Sequence, residues 1–163
     1  NIPAEVLEAK FGYRVTEYSL NVTDAGAGEY RGGYGVILGH EALTDDMTFS
    51  GTYGRFMYPA WGINGGHDGS PNGFDFILKD GTHVPLRGNG SKIPMKKGDI
   101  GRMVTGTGGG YGNPLHRAPE KVAMDVKNEY VSLKAAKEIY GVIVDPETFQ
   151  VVGTTPERDH AAK

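Results

Sequence analysis

The sequence predicts a mainly β chain with a small α-helical carboxyl-terminal portion, arranged as an irregular β-sandwich or barrel-like domain. Three observations lead there. Twenty-six glycines and nine prolines in 163 residues exclude a mostly helical chain, because each interior glycine costs a helix about 1 kcal/mol relative to alanine. Short apolar segments with strand-like patterning recur as far as residue 105, separated by turn residues. Helical spacing enters only later, over roughly residues 118–141. Nine Tyr, six Phe and one Trp supply large groups for a core. A chain of this size buries about two-thirds of its unfolded surface, so residues 1–163 are expected to form a single β-rich domain with a helical extension.

Each element has a local reason. Residues 13–22 read YRVTEYSLNV, in which Val15, Tyr18, Leu20 and Val22 approximate the alternation of a half-buried strand. Residues 24–35, DAGAGEYRGGYG, are too glycine-rich for a helix and suit positive backbone angles or close contact with a neighbouring segment. Val36, Ile37 and Leu38 resume a strand, extended by residues 40–43 before a turn at Asp45-Asp46. Thr48, Phe49, Ser50, Thr52 and Tyr53 mark another, bent at Gly51 and Gly54. Residues 55–73 form an aromatic patch running into turns, where Pro59 and Pro71 exclude one uninterrupted central strand. Residues 74–78 and 84–86 flank Lys79-Asp80-Gly81-Thr82, a hairpin signal. Residues 93–95, a turn at Lys97-Gly98-Asp99, and residues 103–105 lead into GTGGGYG at 106–112.

The carboxyl-terminal part changes character. Residues 119–126 predict a helix, with Pro119 in its opening turn and Glu120 near its positive end. A second helix is expected over residues 133–140, capped by Ser132 and terminated by Gly141. Its Leu133, Ala136, Ile139 and Tyr140 share a face, and each large apolar group there gains about 1.5–3 kcal/mol on burial. Val142-Ile143-Val144 is a final strand. The charged tail after Thr154 is expected to fray.

Composition excludes several functions. Seventeen Lys and Arg against twenty Asp and Glu give a net charge of -3, leaving no positive excess for a nucleic-acid partner. The absence of cysteine removes disulfides, thiolate catalysis and thiolate zinc sites. No apolar run approaches the roughly 20 residues that span a bilayer, and the amino terminus lacks a signal-peptide core; a cytoplasmic setting without a membrane partner is expected. The chain starts at Asn1 rather than methionine, which suggests a processed subunit, a fragment or an incomplete product.

Local motifs leave alternatives. The backbone of residues 106–112 could surround an anion with N–H donors, but it lacks the Gly-Lys-Ser/Thr ending and the dinucleotide order; a structural glycine turn is the favoured reading. Arg117 could assist an anion, pair with Glu120 or face water. His67-Asp68, within Asn64-Gly65-Gly66-His67-Asp68-Gly69, offers metal-binding or proton-transfer groups without a full coordination sphere, and a polar turn is the alternative. His40 and Glu41 project oppositely on a strand. Arg55, Tyr58 and Trp61 could edge a substrate pocket or simply border an aromatic core. No serine sits in a nucleophile elbow.

The ordered motifs carry more information. Asn1-Ile2-Pro3-Ala4-Glu5-Val6-Leu7-Glu8, then Gly26-Ala27-Gly28-Glu29-Tyr30-Arg31-Gly32-Gly33-Tyr34-Gly35, Pro59-Ala60-Trp61-Gly62-Ile63-Asn64-Gly65-Gly66, Thr107-Gly108-Gly109-Gly110-Tyr111-Gly112-Asn113-Pro114-Leu115-His116-Arg117 and Ala136-Lys137-Glu138-Ile139-Tyr140-Gly141-Val142 together resemble the final region of the hydantoinase B/oxoprolinase family. The corresponding region of ATP-dependent acetone and acetophenone carboxylase subunits is also similar. Asp24-Ala25-Gly26-Ala27-Gly28 departs from the family's commoner Ser-Gly-Gly-Ala-Gly.

The resemblance implies part of a multisubunit ATP-dependent enzyme. Its partners would be a larger B-type catalytic portion and an A-type subunit that binds ATP and phosphorylates the substrate. The implied reactions are cyclic amide or lactam hydrolysis, with metal-bound water attacking the activated carbon, and ketone carboxylation. ATP and a divalent metal are implied for those partners, with none predicted in this chain, because the region that carries the family's metal ligands is expected to lie outside it. The isolated chain is expected to be inactive. Arg31, Arg55, Trp61, His67, Tyr111 and Arg117 are the candidates for a cleft or subunit boundary, none of them assigned a catalytic role.

Overall fold

The computed structural model describes residues 2–22, 25–86 and 90–161, so Asp24, which carries the departure noted above, lies outside the described residues. The chain divides into two compact units. The first comprises residues 1–21, 35–58 and 71–106, and the second residues 22–34, 59–70 and 107–163.

The first unit opens with helix α1, Ala4–Phe11, for which the sequence pattern gave no expectation; it ends at Gly12, whose φ of 62° is left-handed. Seven strands follow: β1 Tyr13–Asn21, β2 Gly35–Ala42, β3 Met47–Gly51, β4 Gly73–Ile77, β5 His83–Leu86, β6 Gly90–Met95 and β7 Ile100–Val104. Each expected strand of this region is present, and β4 and β5 pair across the expected hairpin. Five strands form one antiparallel sheet in the order β1-β2-β7-β4-β5, while β3 and β6 form a two-stranded sheet.

Ala42, Phe74 and Phe76 from the larger sheet share a core with Phe49 and Met95 from the smaller one, a sandwich-like arrangement. Phe49 meets Phe74 edge to face at 5.5 Å, the geometry aromatic pairs prefer. The larger sheet ends at β1 and β5 without pairing them, so among the described residues it is open rather than a closed barrel. Glu17 and Arg102 both sit opposite Gly39 of β2. They pair above it, Nε to Oε2 at 2.7 Å, and this hydrogen bond holds the Glu17 carboxyl below its usual range.

The second unit is built on four extended passes, residues 26–33, 60–63, 66–69 and 107–112, joined by backbone hydrogen bonds. Gly26 N donates to Gly108 O, Tyr30 and Tyr111 exchange both bonds, Ile63 N donates to Gly110 O, Gly110 N to His67 O, and His67 N to Ala27 O. Asn64 and Gly65, at φ 52° and 91°, turn the second pass into the third. Residues 106–112 are therefore not the expected turn but a central extended pass. Of its glycines only Gly112 has positive φ; Gly109 and Gly110 are needed for proximity. An added Cβ would strike the Ala27 carbonyl from Gly110, the Trp61 carbonyl from Gly109, and the Gly108 carbonyl from Gly32.

Helices α2, Pro119–Lys127, and α3, Leu133–Glu138, strands β8, Val142–Val144, and β9, Val151–Thr154, and helix α4, Pro156–Ala161, complete this unit. The Ser132 hydroxyl accepts from Ala135 N at 3.0 Å, and Gly141 has the left-handed φ of 64° that the expected terminus requires. Val122, Val126, Ala136, Tyr140, Val142 and Val144 form the core with Ala27. Where fraying was expected after Thr154, the described residues form α4, Pro156–Ala161. Arg158 of α4 is buried, and its guanidinium donates to Tyr140 O at 2.8 Å and Arg117 O at 2.6 Å. Charge content alone misreads this tail, because these charge-assisted bonds anchor it.

Gly110→Ala is expected to destabilise the chain by about 1–3 kcal/mol or more, the range for overpacking. Gly33→Ala, whose added methyl meets nothing within 4 Å, should stay within about 0.5 kcal/mol. Urea unfolding of the two variants checks the difference. Burial lowers the His40 pKa from 6.5, so below pH 6.5 the unfolded chain takes up a proton that the folded chain resists. Stability should therefore fall as pH drops from 6.5 toward the folded value. His40→Phe should flatten that slope in unfolding curves collected across pH 5–7.

Candidate functional site

The densest polar cluster of the second unit forms where α2 faces the first glycine pass. Asp125, on the inner face of α2, is 6% exposed. Its Oδ2 lies 3.4 Å from Arg31 Nε, 3.1 Å from Arg117 Nε and 3.0 Å from Arg117 Nη2. Arg117 also donates to Glu29 O at 3.0 Å, and Arg31 to Gly32 O at 3.0 Å. The Arg31 guanidinium lies over the Tyr34 ring at 4.2 Å and the Tyr130 ring at 5.5 Å. Tyr34 donates its hydroxyl to Tyr130 O at 3.1 Å, and burial pushes its phenol up to about 12 against the opposing charge of Arg31.

One carboxylate thus serves two guanidinium groups in a shielded setting, where planar donors in a fixed fork suit Arg better than Lys. Of the alternatives left open for Arg117, assisting an anion, pairing with Glu120 or facing water, the structure shows charged hydrogen bonds to a carboxylate of the chain itself, that of Asp125, eight residues on and about two helical turns into α2. Asp125, Tyr34 and Tyr130 were missing from the sequence-based candidates. The available signal for Asp125 was an acid within the α2 stretch beside Val122 and Val126, a position that helical spacing places toward the core.

The remaining candidates separate. Arg55 is an exposed residue of the first unit with φ 58°. Trp61, Ile63, Tyr111 and Tyr30 lie on the glycine passes of the second unit and are exposed by 69%, 50%, 48% and 61%. Tyr111 bridges Tyr30 and Ile63 through the backbone, and the two tyrosine rings lie 6.2 Å apart. Trp61, two residues before Ile63, falls on the same side of that extended pass. Asn64 donates to the Tyr111 hydroxyl at 2.8 Å. His67 borders a different surface, a cavity that also includes Lys137 and Glu138. Its neighbour Asp68 accepts from Gly62 N at 2.8 Å, so that carboxylate clamps the Asn64-Gly65 hairpin.

The glycine run does not fit a phosphate. Gly108 N donates to Gly33 O, Gly110 N to His67 O, Tyr111 N to Tyr30 O and Gly112 N to Ile63 O, so these donors already have carbonyl partners. Among the described residues, no group of three or more His, Asp or Glu is placed to hold a metal ion.

Comparison with known proteins places these features in context. Residues 1–114 match the family model described as hydantoinase B/oxoprolinase. An uncharacterized protein of Methanocaldococcus jannaschii is 38% identical over 142 residues, which is 87% of this chain and 25% of that protein. The crystal structure of an ATP-dependent caprolactamase from Pseudomonas jessenii superposes with a TM-score of 0.75 at 30% identity, covering 98% of this chain and 27% of that one. A nucleotide-free acetone carboxylase structure shares the fold, with a TM-score of 0.73 at 22% identity over 99% of this chain and 25% of that one. The chain spans about a quarter of the length of the curated relatives it matches.

Removing the shared carboxylate should be costly. Asp125→Asn leaves two largely shielded guanidinium groups without their counter-charge and is expected to lose about 3 kcal/mol, the lower end of the range for breaking a buried pair. Glu138→Gln, which breaks the exposed Lys134–Glu138 pair, should lose less than about 0.5 kcal/mol. Denaturant midpoints for both variants provide the comparison.

Proposed function

The chain belongs to the hydantoinase B/oxoprolinase family, and from that premise we propose that it is the structural and subunit-contact part of an ATP-dependent hydantoinase/oxoprolinase-like enzyme. It would be the carboxyl-terminal portion, or a separately encoded small subunit, of a larger B-type protein. The observation that carries this reading is the outward face of Tyr30, Trp61, Ile63 and Tyr111. These large rings stand on a rigid bundle whose backbone donors are largely paired internally. Contiguous exposed aromatic and aliphatic groups are a feature of protein-contact surfaces.

The assembly would join this chain to a larger B-type catalytic portion and an A-type ATP-binding subunit as a hetero-oligomer in the cytoplasm. ATP and the divalent metal would reside in those partners. Arg31 and Arg117 would then act by fixing the bundle, while Trp61 and Tyr111 would meet the partner. The preferred reaction is cyclic amide or lactam hydrolysis, supported by the 30% identity to the caprolactamase against 22% to the acetone carboxylase. Ketone carboxylation is the second reading, supported by the shared fold. A noncatalytic assembly module is the third, supported by the internal engagement of the cluster around Asp125.

Supplying the complete assembly with ATP and either a lactam or a ketone plus bicarbonate separates these readings. Lactam cleavage that requires this chain is expected; carboxylated ketone without cleavage would reassign the reaction. Trp61→Glu should leave the isolated chain folded, with a cooperative urea transition, while weakening copurification with the B-type portion by about thirtyfold, the size of an aromatic hot spot. Full assembly and turnover with that variant would remove the contact role.

A further inference from the structure

We propose that the cavity between the first glycine pass and α3 binds a small molecule with one carboxylate on a hydrocarbon body, the carboxylate held by Arg31. The cavity measures about 470 Å³ and is lined by the second unit alone, within the size range of small-molecule sites. Arg31 and Tyr130 border it together, and the Arg31 guanidinium lies over the Tyr130 ring. Of the five N–H bonds that a guanidinium carries, Nε uses its own on Asp125 and Nη1 uses one on Gly32 O. Nη2 has no partner among the described residues. The one solvent-inaccessible side-chain nitrogen or oxygen without a partner among those residues is His40 Nε2, so Arg31 Nη2 is open to solvent. The Arg31 side chain is accordingly 17% exposed.

Charge and wall together select the occupant. Asp125 gives its single negative charge to both Arg31 and Arg117, which leaves this shielded cluster with one positive charge in excess. The backbone carbonyls and tyrosine faces that share it are dipoles and quadrupoles rather than counter-charges. Glu129 is the one acid among the described residues that border the cavity, and it is exposed, where water screens it. A carboxylate suits the planar donors of Arg. Ala27, Val126, Val131, Leu133, Ile139 and Phe149 supply the apolar wall. A small inorganic anion would answer the charge and leave that wall in water, whereas an alcohol or amine of the same length would cover the wall and leave the charge unanswered. A carboxylate with several carbons does both. This inference does not depend on the proposed assembly.

Hexanoate titrated into the 163-residue chain, followed by NMR of the Arg31 side-chain N–H groups and of the Val131, Leu133 and Ile139 methyls, tests the idea. Saturable shifts at all four residues are expected, while the Met95 and Met103 methyls of the first unit, outside the cavity, stay still. Hexan-1-ol and hexylammonium keep the hydrocarbon without the negative charge and should bind about tenfold more weakly or worse, the loss of one charge-assisted hydrogen bond. Inorganic phosphate should leave the three sets of methyls unmoved. Arg31→Lys keeps the charge but not the fork and should weaken hexanoate about tenfold. Because that variant also disturbs the bond to Asp125, Leu133→Glu provides an independent check. Leu133 is 43% exposed and opens α3, where an acid is tolerated, so this chain should fold and bind hexanoate about tenfold more weakly. Non-saturating shifts, equal binding of the alcohol or the ammonium, methyl shifts with phosphate, or undiminished affinity in either folded variant would each overturn the proposal.

Discussion

Close approach of backbone to backbone is the constraint on which the second unit depends. Four extended passes lie near enough for Gly26, Gly32, Gly62, Gly66, Gly109 and Gly110 each to face another segment's peptide group where a side chain would otherwise stand. This spacing lets the passes exchange hydrogen bonds in more than one direction, with residues 107–112 bonded to both the first and the middle passes. Because glycine loses more conformational freedom on folding than any other residue, such a bundle is stable only where many backbone bonds and a packed flank compensate. The core of α2, α3 and β8 packed with Ala27 supplies that flank.

The same geometry governs the side chains. The glycines leave the interior to backbone, so Tyr30, Trp61, Ile63 and Tyr111 point outward. The guanidinium of Arg31 reaches from the first pass to Asp125 on α2, and Arg117 reaches the same carboxylate and the carbonyl of Glu29. Two cations on one carboxylate would be a poor arrangement if left undivided. Here part of the positive charge is taken up by backbone carbonyls and by the faces of Tyr34 and Tyr130. The cluster therefore locks a glycine pass to a helix, a role that explains its burial without requiring it to meet substrate.

The sequence was most legible where a local rule governs. Alternation located β1, a short apolar run located β2, the Lys79-Asp80-Gly81-Thr82 turn located β4 and β5, and Ser132 with Gly141 bracketed α3. It was least legible where a long-range partner decides. Nothing adjacent to Arg117 announces Asp125, and the charges of α4 resemble a solvated tail until Arg158 meets the carbonyls of Tyr140 and Arg117. The glycine run was recognised as structural, but its form was misjudged, since local composition cannot distinguish a positive-φ turn from an extended pass crowded by neighbours. The family was legible because the ordered motifs resemble it as whole segments, a signal that does not require any one residue to show its partner.

The proposed contact role accords with how the polar groups of the second unit are used. In the second unit, the Asp68 carboxylate holds a hairpin, Asp125 is shared by two arginines, and several glycine N–H groups already have carbonyl partners. What this unit presents to its surroundings is instead a group of broad, weakly polar rings on a stiff support. Such rings gain from burial at little cost in side-chain entropy, and the rigid passes beneath reduce the ordering cost further. A catalytic group needs an available proton, lone pair or open coordination position; a contact surface needs shape and apolar area. The bundle is rich in the second set of properties, which are the ones the proposed contact role requires, and its glycines are what let backbone rather than side chains fill the space beneath those rings.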